Sequence, residues 1–489
     1  MRRPLLLAAP VLLLAAPALA LTPQELWSAW QVQAADFGVT LSAEVEPGAE
    51  GSLTLRNFTR SVDGGPVEPM SADAPVEEVV LRPSEGGAVL IDLGLPERGI
   101  LPGGDGEVWL EHEGLAITAR DAREGIDYEI AADALRIAPL GPESQRTAQD
   151  LAFEVSNLRL GVPGQVGPDR TVEASLSLDG FAYVTDIPDP YGLGSRQSGR
   201  VQGTMALTGS LTLPEGITLA TMDQMSFAQA LAGGFAVRVG LETGAGRQET
   251  STTGFPFSYT STSTNEPGTG SLSFDRSGFV LTGAYEGGTV TVISPDLPVP
   301  SLDLSYGPIR AELRVPGGPE VAEARYLFSI ESLTAGEGAW AMVDPEGLLP
   351  REPASLLIDL AGRTAIDFAA MAVAAEMGTP PPVPVVESLE VRAVELAAAG
   401  VRAAGTGSFT FDNSSGVPMP LGSGTARVEG LDRLLDTAGT LGWLSPEQVQ
   451  QARFALAAFF RPGAAPDTRE TSFEFREGGA LLVNGLPVR

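Results

Sequence analysis

The sequence predicts a mainly β protein with a few helices, a β-rich α+β chain of long, curved, largely antiparallel sheets arranged as one elongated unit or two β-rich halves. Three observations predict it. From Leu41 onward apolar residues alternate with polar ones between glycine and proline punctuation, with 58 Gly and 39 Pro in 489 residues, the pattern of strands joined by tight turns. A short phrase recurs, as Gly51-Ser52-Leu53-Thr54-Leu55, Gly209-Ser210-Leu211-Thr212-Leu213, Gly270-Ser271-Leu272-Ser273-Phe274 and Gly407-Ser408-Phe409-Thr410-Phe411. Helical periodicity, finally, is confined to a few short stretches.

In the recurring phrase the glycine is expected to release a turn, the hydroxyls to face solvent and the alternate large apolar residues to enter a core. Ala174 to Leu178 and Thr471 to Phe475 are looser variants. Their spacing is irregular, which favours independent arrival at one half-buried strand pattern over a fixed-period repeat. The clearest strand sets Phe235, Val237, Val239 and Leu241 against Ala236, Arg238, Gly240 and Glu242.

Met1 to Ala20 carries Arg2 and Arg3, an apolar run from Leu5 to Leu14, and Ala18-Leu19-Ala20 before Leu21. This is the layout of a secretory signal peptide, so the expected location is the periplasm. No cysteine follows to carry a lipid anchor or to form a disulfide framework, and a sizeable core must hold the fold. The stretch Ala365 to Met377 is cut by Asp367 and Glu376, so no second membrane span is expected. The formal net charge of −31 repels nucleic acid and anionic headgroups. With 43% hydrophobic residues that acidity is no sign of disorder.

Thr22-Pro23-Gln24-Glu25 is a capping box with proline at the first helical position. Leu26, Trp27, Trp30, Ala34 and Phe37 follow at helical spacing and are read as packing on a sheet. Met222 to Ala232 reads as a short helix stopped by Gly233-Gly234. The polar run Glu242 to Asn265 is the expected break between an N-terminal half at 21–248 and a C-terminal half at 249–489. In the second half helices are expected near 364–377, 430–441 and 446–460, the last capped by Ser445 and Gln448. Phe473 and Phe475 mark a strand, Ala480 to Val483 another, and Asn484-Gly485 a hairpin turn.

Between Trp340 and Phe368, Asp344-Pro345 reads as a helix start, Leu356, Ile358 and Leu360 as one face of a strand, and Gly362 as its end. Asp344, Glu346, Arg351 and Glu352 are candidates for a site, although turn chemistry accounts for them. His112 is the sole histidine, so histidine metal clusters are excluded. Glu111-His112-Glu113 is expected on an exposed edge strand, with the carboxylates and the imidazole on opposite faces. All 31 basic residues are arginine, which excludes a P-loop, a Ser-Lys dyad and a Schiff base. Asp105, Asp186 and Asp189, in Gly- and Pro-rich loops, suit calcium by type but lack EF-hand spacing. No catalytic, cofactor-binding or metal-ligating set emerges.

Two segments carry a resemblance. Ala339 to Gly362, with its W-A-M-V-D-P and L-P-R-E-P-A-S-L text, and the end from Gly430 through L-S-P-E-Q, F-F-R-P-G and V-N-G-L-P-V resemble the exported bacterial proteins of domain of unknown function 2125. The L-T-P-Q-E-L-W-S-A-W text after the signal is similar too. The resemblance implies a β-rich periplasmic protein and brings no activity, substrate or catalytic residue. A similarity of architecture alone, to β-sheet envelope proteins of the AsmA kind associated with lipid traffic, is an analogy. The expected role is a non-enzymatic binding or envelope-scaffold module with an apolar groove or interaction face, taking a hydrophobic ligand or an envelope protein. The alternatives are a protein–protein interaction module without a cavity and a carboxylate-dyad hydrolase of envelope polymers.

Overall fold

The computed structural model describes residues 20–36, 39–62, 68–69, 78–103, 106–122, 125–140, 151–163, 171–187, 195–214, 227–254, 257–414 and 416–488. The expected signal peptide lies, but for Ala20, outside the described residues. The fold is β-rich, with six α-helices among the described residues. By contacts the chain divides into two compact units, Met1–Ala72, Val76–Leu95 and Ala116–Glu129 forming the first, and Asp73–Pro75, Pro96–Leu115 and Ile130–Arg489 the second. The expected boundary at 248/249 falls inside the strand Gly246–Gly254.

In the first unit the helix α1 (Pro23–Asp36) packs on an antiparallel sheet ordered Val39–Pro47, Leu53–Val62, Glu78–Pro83, Ala88–Asp92, Ala116–Ala122. Pairing sets Leu53, Leu81, Ile91 and Ile117 in one row and Val89 beside Ala119. Leu26 and Trp27 of α1 close over them, and Leu53, Leu55, Leu81 and Val89 are buried. The helix begins at the capping box, where Thr22 N–H and Oγ1 donate to Glu25 Oε2 at 2.9 and 2.7 Å and Glu25 N–H donates back to Thr22 Oγ1. Trp27 meets Trp30 and Phe58 edge to face, and Trp30 Nε1 donates to Tyr128 Oη at 2.8 Å. Trp27 and Trp30 are thus accounted for by packing on the sheet, as their spacing implies, and Phe37 lies outside the described residues.

In the second unit the antiparallel order runs from Arg98–Gly103 and Gly106–Glu113 through the later part of Gly125–Leu140 to Leu151–Pro163, Thr171–Ile187 and Ser195–Thr212. Beyond that point each row of the sheet consists of two strands in line. Ala236–Thr243 pairs with the later half of Ser195–Thr212 and Gly246–Gly254 with its earlier half. Tyr259–Asn265 with Gly268–Asp275, Gly278–Tyr285 with Gly288–Ile293, and Leu302–Tyr306 with Ile309–Pro316 repeat the arrangement. Ala322–Ala335 then pairs with both members of the last row. Ala354–Ala365, Val385–Ala398, Val401–Asp412, Met419–Glu429 and Thr468–Phe475 extend the sheet.

The interruptions line up as a seam through Gly203, Gly244-Ala245, Glu266-Pro267, Glu286-Gly287, Gly307-Pro308 and Ser332. Hydrogen bonds stitch it together, Gly244 N–H donating to Thr204 O, Glu266 N–H to Gly287 O and Gly307 N–H to Glu331 O at 2.8–2.9 Å. Gly203 and Gly287 have φ of +144° and +155°, and a Cβ on them would come within 2.9 Å of Gly246 Cα and 2.8 Å of Tyr306 O. Pro267 and Pro308 have no N–H for a ladder. Such residues mark bulges, where one strand carries more residues than its partner.

Most of the described part of the run Glu242 to Asn265 is therefore strand, in Ala236–Thr243, Gly246–Gly254 and Tyr259–Asn265, where a break is expected from the sequence. Its threonines are β-branched and suit a pleated surface, and hydroxyl pairs cross the sheet nearby, Thr264 with Thr289 and Ser271 with Thr282, both at 2.6 Å. Of the recurring glycines, Gly51 sits in the turn before Leu53–Val62 as expected, with φ of +80°, and the other three differ. Gly209, Gly270 and Gly407 lie inside strands and release no turn.

Of the remaining helices, α2 (Phe227–Ala232) is the described part of the one expected from Met222. The helix α3 (Glu337–Val343) ends at Asp344, whose N–H donates to Trp340 O at 2.7 Å, so Asp344-Pro345 follows a helix and does not start one. The next strand passes through Gly362 to Ala365. This shortens the helix expected at 364–377 to α4 (Phe368–Met377), capped by the Asp367 carboxylate on Ala370 N–H. The helices α5 (Leu431–Thr440) and α6 (Pro446–Phe459) stand where expected, α6 with its full capping box. Asn484 and Gly485, with φ of +52° and +78°, form the last hairpin turn.

Candidate functional site

Strand alternation in the second unit sorts side chains onto two faces of opposite character. One cross-strand row runs Val239, Leu272, Leu281, Leu313, Tyr326, Leu360. Its neighbour runs Leu241, Gly270, Gly283, Ala311, Phe328, Ile358, and a third holds Val237, Phe274, Phe279 and Val315. Leu207 and Leu211 extend the face at one side, Val391, Val394 and Leu396 at the other. No ionisable group other than tyrosine stands in these rows. The reverse face holds Arg238, Glu242, Arg310, Glu312, Arg314 and Asp359, with Arg325 placed 3.6 Å from Glu312 and 3.4 Å from Asp359.

A one-sided sheet ordinarily buries its apolar face under a second layer. Here the middle of the face is open among the described residues, and Leu281 and Tyr326 are each 42% exposed. From Ser195–Thr212 to Val401–Asp412 the face is nine strands wide, roughly 40 Å at about 4.8 Å per strand. Apolar patches of that extent, beyond a few hundred Å², mark ligand or partner surfaces.

The face has a trough. Gly270, Gly283 and Ala311 lie side by side between Leu241 and Phe328. A Cβ on Gly283 would meet nothing within 4 Å, so neither crowding nor a left-handed backbone requires glycine there. Gly407 and Gly424, farther along the same sheet, differ in this respect. The rings of Phe409 and Phe473 lie over them, with atoms 2.9 and 2.4 Å from where a Cβ would sit. At one end of the face Phe274 stacks between Phe227 of α2 and Phe368 of α4, with ring centroids 5.8 and 5.9 Å apart. Across the seam Phe257, Tyr259, Val292, Leu297 and Leu302, with Ser294 and Asp296, line a hollow of about 480 Å³.

The candidates read from the sequence do not converge. Asp344 is fully buried and accepts N–H groups of Leu348 and Leu349, both at 2.9 Å. Burial alone would raise its carboxyl pKa, but these N–H groups, with Arg351 and Gly347 nearby, outweigh it and hold the group below its ordinary value. Arg351 lies over the Trp340 ring and makes two bonds to Glu337, at 2.7 and 2.9 Å, and Glu352 stands 3.7 Å from Arg402. Turn chemistry accounts for Asp344, as its residue type suggests.

The strand Gly106–Glu113 is not an edge, because Arg98–Gly103 pairs on one side and Gly125–Leu140 on the other. The short strand at Arg98 is too irregular in pattern to read from sequence. Its Arg98 holds the Glu111 carboxyl below its ordinary value, while both ring nitrogens of His112 lack a partner among the described residues. Asp186 is the next-to-last residue of the strand Thr171–Ile187, opposite Arg196, and not in a loop, while Asp105 and Asp189 lie outside the described residues. Among the described residues no group of three or more His, Asp or Glu is placed to hold a metal ion.

Sequence reading found the alternation behind the face but not the face itself, since pairing partners dozens of residues apart have no local signal. The one available pointer was Gly270 in the phrase Gly-Ser-Leu-Ser-Phe, where the glycine shares the parity of the leucine. A family model described as an uncharacterised protein conserved in bacteria, domain of unknown function 2125, matches residues 245–488, which include the greater part of the apolar face. No curated protein and no solved structure matches the chain.

Proposed function

Through residues 245–488 the chain belongs to the domain of unknown function 2125 family of proteins conserved in bacteria, and on that premise we propose that it is a non-enzymatic periplasmic module whose sheet binds an extended hydrocarbon chain, such as the acyl chain of a lipid. The observation that carries this reading is the open trough at Gly270 and Gly283 in a wide face without acid or base. A hydrocarbon chain laid on it gains up to about 0.8 kcal/mol for each methylene taken out of water. An ionic or strongly polar ligand would find no partner there. The arginines and carboxylates of the sheet stand on its reverse face. Asp344, the buried acid, has both oxygens committed to backbone N–H groups, which favours binding over hydrolysis.

The test is equilibrium binding of a fluorescent fatty acid to the mature protein. Wild type is expected to bind saturably, and Leu281→Glu, which sets a carboxylate in the middle of the face, to weaken binding at least tenfold. Absence of saturable binding by wild type would overturn the reading.

A further inference from the structure

The apolar face does not end at the sheet. At the strand ends near Phe274 it continues through stacked rings onto α2 and α4, Phe227 and Phe368 sandwiching Phe274. Among the described residues the outer side of these helices is bare. Phe227 is exposed on α2, and α4 exposes Val373 and, one turn on, Met377, which is 70% exposed. Val383 and Val385 after the helix are exposed too. The helix reads F-A-A-M-A-V-A-A-E-M, apolar on nearly every side, with Glu376 its sole charge and no basic residue. It stops at Gly378, in the left-handed region at φ +64°, and Thr379 to Pro384 leads back to the sheet.

A helix apolar on its solvent side is costly unless something takes that side out of water. The geometry points to this end as the place where the protein touches a lipid surface and draws an acyl chain onto the sheet, an inference that rests on the binding reading above and names its source of ligand. The occupant follows from two features of the site. The bare apolar residues are continuous with the proposed binding face, so among the described residues a chain passing from bilayer to trough has an apolar path over Met377, Phe227 and Phe274, with Glu376 at its side. The helices α2 and α4 carry no arginine to grip phosphate, Arg276 in the turn after Phe274 directly follows the acidic Asp275, and the whole chain carries a net charge of −31. A surface of that kind inserts into uncharged or zwitterionic lipid and is repelled by anionic lipid, unlike basic amphipathic helices.

The experiment uses the full mature chain and the paired substitution Val373→Asp with Met377→Asp, both on exposed positions. Three readings are taken: flotation with phosphatidylcholine vesicles, the rate at which labelled fatty acid moves from such vesicles to the protein, and equilibrium binding of the same fatty acid presented as monomer. Wild type is expected to float with phosphatidylcholine and to float less when phosphatidylglycerol is mixed in. The double variant is expected to lose flotation and to load from vesicles at least tenfold more slowly, while binding monomeric fatty acid within twofold of wild type. Unchanged flotation and loading in the double variant, with monomer binding intact, would overturn the membrane contact and leave the binding face standing. Absence of monomer binding in wild type would remove the binding reading itself. Flotation that grows with phosphatidylglycerol would contradict the charge argument.

Discussion

Asp344 shows how one chemistry supports two local structures. A carboxylate before proline reads as a helix start because it suits orphan N–H groups. The groups it takes are those of Leu348 and Leu349 in the turn after α3. The side chain's preference was legible in the sequence, but the helix on its N-terminal side was not, since E-G-A-W-A-M-V is short and holds a glycine. Its carboxyl pKa is lowered in the fold, so its contribution to stability is present above the ordinary carboxylate range and is lost as pH falls through the lower folded value. Asp344→Asn is expected to destabilise the protein at pH 7, with the gap to wild type narrowing toward pH 3. Urea unfolding across that range checks it, and a gap independent of pH would show that the charge has no part.

At the scale of elements, period-two alternation identified strands, and capping residues identified α1 and α6 nearly to their ends. Glycine and proline misled, because the same residues that make turns also make bulges and open floors. Gly287, Pro267 and Pro308 break strands at one level, Gly203 lies at the same level inside an unbroken one, and only pairing reveals that these points lie in line. Gly283 breaks nothing. The two kinds of glycine separate experimentally: Gly203→Val drives a Cβ against Gly246 at a positive φ and is expected to cost about 2 kcal/mol or more. Substitution at Gly283, where a Cβ meets open space, is expected to leave the unfolding midpoint nearly unchanged. Denaturant unfolding of both variants checks this, and equal losses would argue against an open trough.

For the molecule as a whole, composition by itself restricts the chemistry. A chain without cysteine or lysine and with one histidine has few catalytic devices left. What composition does not carry is that the apolar halves of so many strands fall on one side of one sheet, with the charges on the other. That depends on register, and register in the second unit is set by pairings such as Val239 with Leu272 and Tyr326 with Leu360, which no local window contains. An uncharged face with its middle open is the property from which both the ligand class and the lipid-facing end follow.

The most direct measurement of that property is a titration of fluorescent fatty acid into wild type and Gly283→Trp. The indole fills the trough without adding charge, on a Cβ that meets nothing within 4 Å. A loss of affinity of tenfold or more, at an unchanged unfolding midpoint, is the predicted result. Equal affinity in the two proteins would contradict the assignment of the trough as the ligand's seat.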